Sequence, residues 1–191
     1  MKYNQGDYQS FAGDTILKDI FIKLCVDNNI ETIIETGTFV GGTTKQFSKM
    51  VSQVFTIEHN LEFFQNASLF LLGIKNITME FGSSLACLNK CIKQSTGNLL
   101  LFLDAHWGEH NPLLGELEII RKSGIKPIIA IHDFKNPNHS DYAYDTYGSI
   151  IYEWDWIKQS IISIYGEKGF RIEYNDDANG PKVGVIFIFP V

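Results

Sequence analysis

The fold of this chain is decided by residues 32–44, which read Thr32-Ile-Ile-Glu35-Thr-Gly37-Thr-Phe39-Val-Gly41-Gly42-Thr-Thr44. A short β-branched run ends in a carboxylate, passes through a glycine-rich turn and continues into a segment with helical character. This order predicts a strand, a loop and a helix, in which glycines let the backbone approach a ligand and the first N–H groups of the helix face it. The stretch is therefore typical of an α/β sheet that binds a nucleotide.

Three positions of this loop restrict the kind of ligand. A dinucleotide fingerprint requires a second glycine where the pyrophosphate meets the chain, and Phe39 occupies that place. A P-loop ends in Gly-Lys-Ser/Thr, whereas Gly42 is followed here by two threonines. Glu35, at the end of the predicted strand, would repel a phosphate and suits a cationic ligand. These residues disfavour a dinucleotide and a nucleoside triphosphate.

The rest of the chain alternates short apolar runs with amphipathic segments, which predicts a doubly wound, mostly parallel α/β sheet. The last two strands are joined by a turn-rich loop without a helix, so they should pair as an antiparallel hairpin. We interpret residues 1–191 as one domain, with an N-terminal arm over 1–13 and a substrate or lid loop over 134–147. The predicted strands are 32–36, 54–58, 76–80, 98–104, 127–133, 169–174 and 183–189, and the predicted helices are 14–28, 42–51, 60–72, one capped by Ser83 or Ser84, 113–123 and 148–165.

The loop and the order of elements together resemble those of the class I S-adenosylmethionine (SAM) dependent methyltransferases. Their first motif, acidic-x-Gly-x-x-x-Gly, corresponds here to Glu35, Gly37 and Gly41, and their sheet ends in the same antiparallel hairpin. The resemblance covers residues 14–191. It implies a Rossmann-like, seven-stranded sheet with the strand order 3-2-1-4-5-7-6, and an enzyme that transfers a methyl group from SAM.

The resemblance also assigns residues to the cofactor. The glycine loop would cradle the methionine part of SAM, with Glu35 near its ammonium group. Glu58 ends the second strand, 21 positions after Gly37, where a carboxylate can accept hydrogen bonds from both ribose hydroxyls. Ser83 would contact the adenine amine, although it could equally cap the helix that follows. The residues expected at SAM are Glu35, Gly37, Thr38, Gly41, Glu58, Ser83 and Asp104.

Two acidic residues end neighbouring central strands, and they predict a metal site. Asp104 follows the fourth strand and Asp133 the fifth, with His132 beside it. Carboxylate and imidazole ligands suit a divalent cation, and the pair resembles the Mg²⁺ site of small metal-dependent O-methyltransferases of the catechol and macrolide-sugar type. Because His132 replaces an acid of the sugar-modifying group, Mn²⁺, Fe²⁺ or Zn²⁺ would also be admitted. Alternatively, Asp104 lines the SAM pocket and Asp133 caps a loop.

The predicted reaction is methyl transfer to a hydroxyl oxygen of a small molecule such as a sugar or a phenolic metabolite. A metal at Asp104 and Asp133 would lower the pKa of that hydroxyl, and His106 is placed by sequence to act as general base. Without a metal, His106 or His132 must remove the proton alone. The loop after the fifth strand carries three tyrosines that could contact the acceptor: Tyr142, Tyr144 and Tyr147.

Composition restricts the partners. The formal net charge is −6 and no run of lysine or arginine occurs, which argues against a nucleic-acid partner. No apolar run has membrane length and the first residues lack a signal-peptide pattern, so we expect a cytoplasmic protein without a membrane partner. Because so short a chain has few segments to shape a pocket, we expect a homodimer in which a second subunit supplies a wall. Glu116 and Glu118, on a predicted helix, are expected to be solvated.

Two other functions stay open at this point. One is a non-catalytic Rossmann-like binding module that has kept the fold without turnover, because the first motif lacks its usual middle glycine. The other is a nucleotide- or NAD-dependent oxidoreductase, against which Phe39 and the terminal hairpin count.

Overall fold

The computed structural model describes residues 9–105 and 111–191. Nine strands and six α-helices lie within these ranges, together with a short 3-10 helix over Ser10–Gly13, and seven of the strands form one sheet. The strands are β1 Ile30–Thr36, β2 Gln53–Glu58, β3 Ile77–Phe81, β4 Asn98–Leu103, β5 Ile128–Ile131, β6 Thr146–Tyr147, β7 Ile150–Ile151, β8 Phe170–Tyr174 and β9 Ile186–Pro190. The helices are α1 Thr15–Asp27, α2 Gly42–Phe47, α3 Leu61–Phe70, α4 Ser84–Gln94, α5 Leu113–Ser123 and α6 Trp154–Tyr165.

The sheet has the order β3-β2-β1-β4-β5-β9-β8. Strands β1 to β5 are parallel, and β9 pairs antiparallel with both β5 and β8. The predicted seven-stranded architecture and its strand order are thus confirmed, since β8 and β9 are the two predicted hairpin strands. A parallel sheet is covered on both faces, so its central strands are buried on both sides. The continuous apolar run of β4, in the centre of the sheet, suits this position.

Each face of the sheet has its own apolar core. One core contains side chains of α4, α5 and α6, and the other contains side chains of α1 and α2. Strand β4 contributes to both, because Leu101 and Leu103 point into the first core while Leu100 and Phe102 point into the second. The second core includes a group of four phenylalanine rings, Phe11, Phe21, Phe47 and Phe102.

The segment before α6 differs from the prediction. The helix expected over 148–165 begins at Trp154, because residues 146–151 form a two-stranded antiparallel ribbon. Aromatic and β-branched residues flank Gly148-Ser149 there, a two-residue pattern that favours a hairpin turn over a helix. Helix α2 is also shorter than predicted and ends at Phe47.

The prediction that Glu116 is solvated is wrong. Its side chain is buried on the inner face of α5, together with Leu113, Leu117 and Ile120. Glu116 lies three residues after Leu113 and four before Ile120, so helical periodicity places it on the same face as both. Glu118 lies on another face of the helix, half-exposed and paired with Arg121.

None of the helices within 9–105 and 111–191 combines the length and the apolar character that crossing a membrane requires.

Candidate functional site

Two adjoining cavities lie where the carboxyl ends of β1, β2, β4 and β5 meet, the edge at which open α/β sheets bind ligands. The first cavity has a volume of about 280 Å³ and the second about 320 Å³. The first is lined by Gly37, Phe39, Glu58, His59, Asn60, Phe63, Asp104, Ala105, His132 and Asp133. The second is lined by Gln9, Phe11, Ala12, Glu35, Gly37, Thr38, Phe39, Gly42, Thr43, Phe102, Asp104 and His132.

The glycine loop forms the boundary between the two cavities. Gly37 has a φ of +87°, and a Cβ added there would lie 2.2 Å from the carbonyl oxygen of Asp104. The end of β1 therefore touches the backbone that follows β4, and only a residue without a side chain permits that approach. Gly41 is the N-cap of α2, so the loop turns directly into this helix, as the sequence predicts.

This close approach predicts that Gly37→Ala destabilises the protein strongly. Gly73 offers a matched control, because its φ is +88° and an added Cβ would meet nothing within 4 Å. We expect Gly73→Ala to cost about 1–2 kcal/mol from the left-handed backbone alone, and Gly37→Ala about 2 kcal/mol more from overpacking. Denaturant unfolding of both variants measures the difference. Equal losses would contradict a tight contact between β1 and β4.

Glu58 lies at the end of β2 and is almost fully buried. Its Oε2 accepts a hydrogen bond from the backbone N–H of Phe39 at 2.8 Å, and its Oε1 accepts one from the N–H of Asn60 at 2.8 Å. Each carboxylate oxygen can accept more than one hydrogen bond, so both oxygens retain capacity toward the first cavity. Phe39 and Phe63 pack edge to face with ring centroids 4.8 Å apart and provide an aromatic wall beside the carboxylate.

Glu35 is a second buried carboxyl group, and it lines the second cavity. The hydroxyl groups of Thr44 and Thr56 both donate to its Oε2, and they are its only hydrogen-bond donors among the residues that the structure describes. Burial raises the pKa of Glu35 to about 8, against the lowering effect of the two threonines and with further raising by Asp104 and Glu58. A cationic group in the second cavity would favour the ionised form.

Asp104, His132 and Asp133 form a cluster between the ends of β4 and β5. The Nδ1 atom of His132 lies 3.4 Å from Oδ1 of Asp104 and 3.1 Å from Oδ2 of Asp133. Burial lowers the pKa of His132, but the two carboxylates outweigh it and raise that pKa well above its ordinary value. One potential ligand atom from each residue lies within 4.8 Å of the other two. Two carboxylate oxygens and an imidazole nitrogen fit a divalent cation, so the predicted metal-binding residues are brought together.

The remaining predicted residues have different positions. Thr38 lines the second cavity, and its hydroxyl lies 2.6 Å from that of Thr56. Ser83 is the N-cap residue of α4, where its side chain makes no capping hydrogen bond, and it lines neither cavity in the described part of the chain. His106 lies outside the described residues, so its role as general base stays a prediction.

The loop over 134–147 is attached to the segment between β8 and β9. Phe134 donates a backbone hydrogen bond to Gly184, and the buried Asn136 side chain donates to the carbonyl of Asn175. Tyr142 is buried and stacks on His139, while the hydroxyl of Tyr147 donates to Asp145. The three tyrosines are absent from the described linings of both cavities, so their contact with an acceptor stays a prediction.

Sequence reasoning missed several residues of the site. Thr44 and Thr56 hold Glu35, and Phe63 completes the aromatic wall with Phe39. Thr56 could have been identified from the sequence, because it is a polar residue within the otherwise apolar part of β2. Phe63 could not, since an aromatic residue in the first turn of a helix is usually a packing residue.

Comparison with known proteins finds similarity at the level of structure. Neither a protein-family model nor a curated protein matches the sequence. The O-methyltransferase TomG from Streptomyces achromogenes, solved with SAM, is 13% identical with a TM-score of 0.64, over 92% of this chain and 80% of that chain. An O-methyltransferase from Bacillus cereus, solved with SAH, is 16% identical with a TM-score of 0.64, over 92% and 81%. The SAH-bound methyltransferase PaMTH1 from Podospora anserina is 13% identical with a TM-score of 0.62, over 100% and 83%. The resemblance to class I SAM-dependent methyltransferases is thereby confirmed for the fold.

Proposed function

We propose that this protein is a SAM-dependent methyltransferase that acts on a hydroxyl oxygen of a small molecule, such as a sugar or a phenolic metabolite. The observation that carries the proposal is the pair of buried carboxyl groups in adjoining cavities, Glu58 in the first and Glu35 in the second. A ligand that suits both has vicinal hydroxyls at one end and a cationic group at the other. SAM has this arrangement, because its ribose and its ammonium group flank the sulfonium.

The first cavity suits the adenosine half of the ligand. The carboxylate of Glu58 can accept hydrogen bonds from the two ribose hydroxyls, and an adenine ring can pack against Phe39 and Phe63. NAD fits less well, because Phe39 occupies the loop position that its pyrophosphate would have to approach. The two cavities therefore favour SAM over a dinucleotide.

The Asp104, His132 and Asp133 cluster adjoins the first cavity and supports a role in activating the acceptor. A divalent cation held by these three residues would lower the pKa of an acceptor hydroxyl. Without a cation, the two carboxylates beside His132 raise its pKa well above the ordinary value, which favours the protonated imidazole, and this form is unable to accept a second proton. We therefore disfavour His132 as a general base acting alone.

Calorimetric titration with S-adenosylhomocysteine (SAH) tests the proposal, with NAD as the control ligand. We expect micromolar binding of SAH and no binding of NAD.

At pH 7 the protein should release about one proton for each SAH that it binds. The carboxyl group of Glu35, with a pKa of about 8, is mostly protonated in the free protein, and it ionises beside the ammonium group of the ligand. Affinity for SAH should accordingly rise between pH 6 and pH 8, by up to about tenfold per pH unit.

Two buffers with different ionisation enthalpies report the released proton, and Glu35→Gln is the matched control. The glutamine keeps the shape of the side chain and an acceptor for Thr44 and Thr56, but it has no proton to release. Its SAH affinity should be weaker and nearly independent of pH. Absence of SAH binding to the wild-type chain would contradict the proposed function, whereas binding without proton release would contradict only the role of Glu35.

A further inference from the structure

Residues 9–13 form a turn that closes one side of the second cavity. We call it the arm turn, and three of its residues, Gln9, Phe11 and Ala12, line the cavity. Phe11 anchors the turn, because its buried ring stacks on Phe21 at a centroid distance of 5.1 Å. Its backbone N–H also donates to the hydroxyl of Thr43 at 3.0 Å. The arm turn is thereby attached both to the core and to the first turn of α2.

The backbone of the arm turn is strained. Phe11 and Ala12 have φ values of 53° and 50°, in the left-handed region, and Gly13 follows with a φ of +91°. Residues with a side chain rarely adopt this conformation, and it persists where the surrounding structure holds it. The side chain of Gln9 folds back over the turn, since its Oε1 atom lies 2.7 Å from the position of a Cβ on Gly13. The Gln9 amide oxygen therefore lies against the backbone of Gly13, within the arm turn.

The polar lining of the second cavity complements an amino acid. Glu35 suits an ammonium group, as argued above, and a carboxylate on the same carbon atom would need a hydrogen-bond donor nearby. The described lining residues include no lysine or arginine, but they do include Gln9 and Thr43, whose side chains carry an amide and a hydroxyl. An amide carries two N–H donors and a hydroxyl one. Neutral donors of this kind suit a carboxylate whose charge is already balanced by its own ammonium group.

We propose that Gln9 binds the carboxylate of the amino-acid end of SAM through its side-chain amide, and that the arm turn thereby selects ligands that carry an amino acid over simple adenosine thioethers. The inference rests on the proposed function and adds a specificity-determining residue to it. Phe11 and Thr43 act as positioning residues, because they hold the turn that carries Gln9.

The test compares two ligands and two variants. SAH carries the amino acid, whereas 5′-methylthioadenosine has the same adenosine and sulfur without it. Gln9→Glu places a carboxylate where the donor was, so SAH affinity should fall at least about tenfold, or about 1.4 kcal/mol, while methylthioadenosine affinity stays the same. Gln65→Glu is the control, because Gln65 is exposed on α3, lines neither cavity and receives the same added charge. Thermal unfolding of both variants checks that the fold is kept.

The possible outcomes separate the two proposals. Equal SAH affinity in Gln9→Glu and wild type would overturn the role of Gln9 while leaving the methyltransferase proposal intact. An equal loss of SAH and methylthioadenosine binding would also overturn it, because the turn would then act on the whole pocket and not on the amino acid. Failure of the wild-type chain to bind either ligand would overturn the proposed function and this inference together.

Discussion

Glu58→Ala is expected to lower the affinity for SAH at least about a hundredfold while leaving the chain folded. The carboxylate is assigned to two ribose hydroxyls, and a hydrogen bond to a charged group contributes about 1.5–3 kcal/mol, so the loss of two exceeds the 2.7 kcal/mol that a hundredfold change requires. The substitution also removes the acceptor for the N–H groups of Phe39 and Asn60, which loosens the wall of the cavity. Calorimetry gives the affinity, and thermal unfolding gives the state of the fold.

Glu31→Ala serves as the control for Glu58→Ala. Glu31 is exposed near the start of β1, at the edge of the sheet opposite the two cavities, so its removal should leave SAH affinity unchanged. Glu58→Gln, which keeps one acceptor oxygen, should lose less affinity than Glu58→Ala. An SAH affinity unaffected by Glu58→Ala would refute the assignment of the first cavity to adenosine.

Asp133→Asn is expected to weaken Mn²⁺ binding about a hundredfold and to leave SAH affinity nearly unchanged. The substitution removes one of three charged or basic ligand atoms in the cluster with Asp104 and His132, and even outer partners of metal ligands account for about 10–100-fold in affinity. Asparagine suits the position sterically, because Asp133 has a φ of 53° and asparagine tolerates the left-handed region well. Calorimetric titration with Mn²⁺, followed by SAH, measures both affinities.

Asp141→Asn controls for the loss of a negative charge outside this cluster. Asp141 is exposed in the loop over 134–147 and pairs with Lys182 at the surface, so Mn²⁺ affinity should be kept. The metal site would be contradicted if the wild-type chain fails to bind Mn²⁺, or if Asp133→Asn binds it as well as wild type does. Either result would favour the alternative in which Asp104 lines the SAM pocket and Asp133 caps a loop.

The sequence was sufficient for the order of the strands, and the reason lies in a few local patterns. Residues 32–44 specify the first strand–loop–helix unit, the apolar run of β4 identifies the centre of the sheet, and the absence of a helix before the last strand predicts its antiparallel pairing. The positions of Glu35, Glu58, Asp104 and Asp133 at one edge then follow, because parallel strands end together.

The sequence was insufficient where side chains from distant elements meet. Strand-end rules place Glu35 at the edge of the sheet, but its burial and its bonds to Thr44 and Thr56 depend on how α2 and β2 pack against β1. Ser83 shows the same limit, since it also follows a strand and yet lines neither described cavity. The burial of Glu116 could have been predicted, because the spacing of Leu113 and Ile120 places it on the inner face of α5.

The position of β9 inside the sheet determines when the protein can complete its fold. Ile186 and Ile188 fill the core beneath α4 to α6, while Phe187 and Phe189 fill the core on the opposite face. Its partner β5 precedes it by the whole stretch that includes β6, β7, α6 and β8, and such non-local pairings form slowly. During synthesis the edge of β5 therefore remains an open, apolar strand until β9 leaves the ribosome, and in that interval it is exposed to aggregation with other chains.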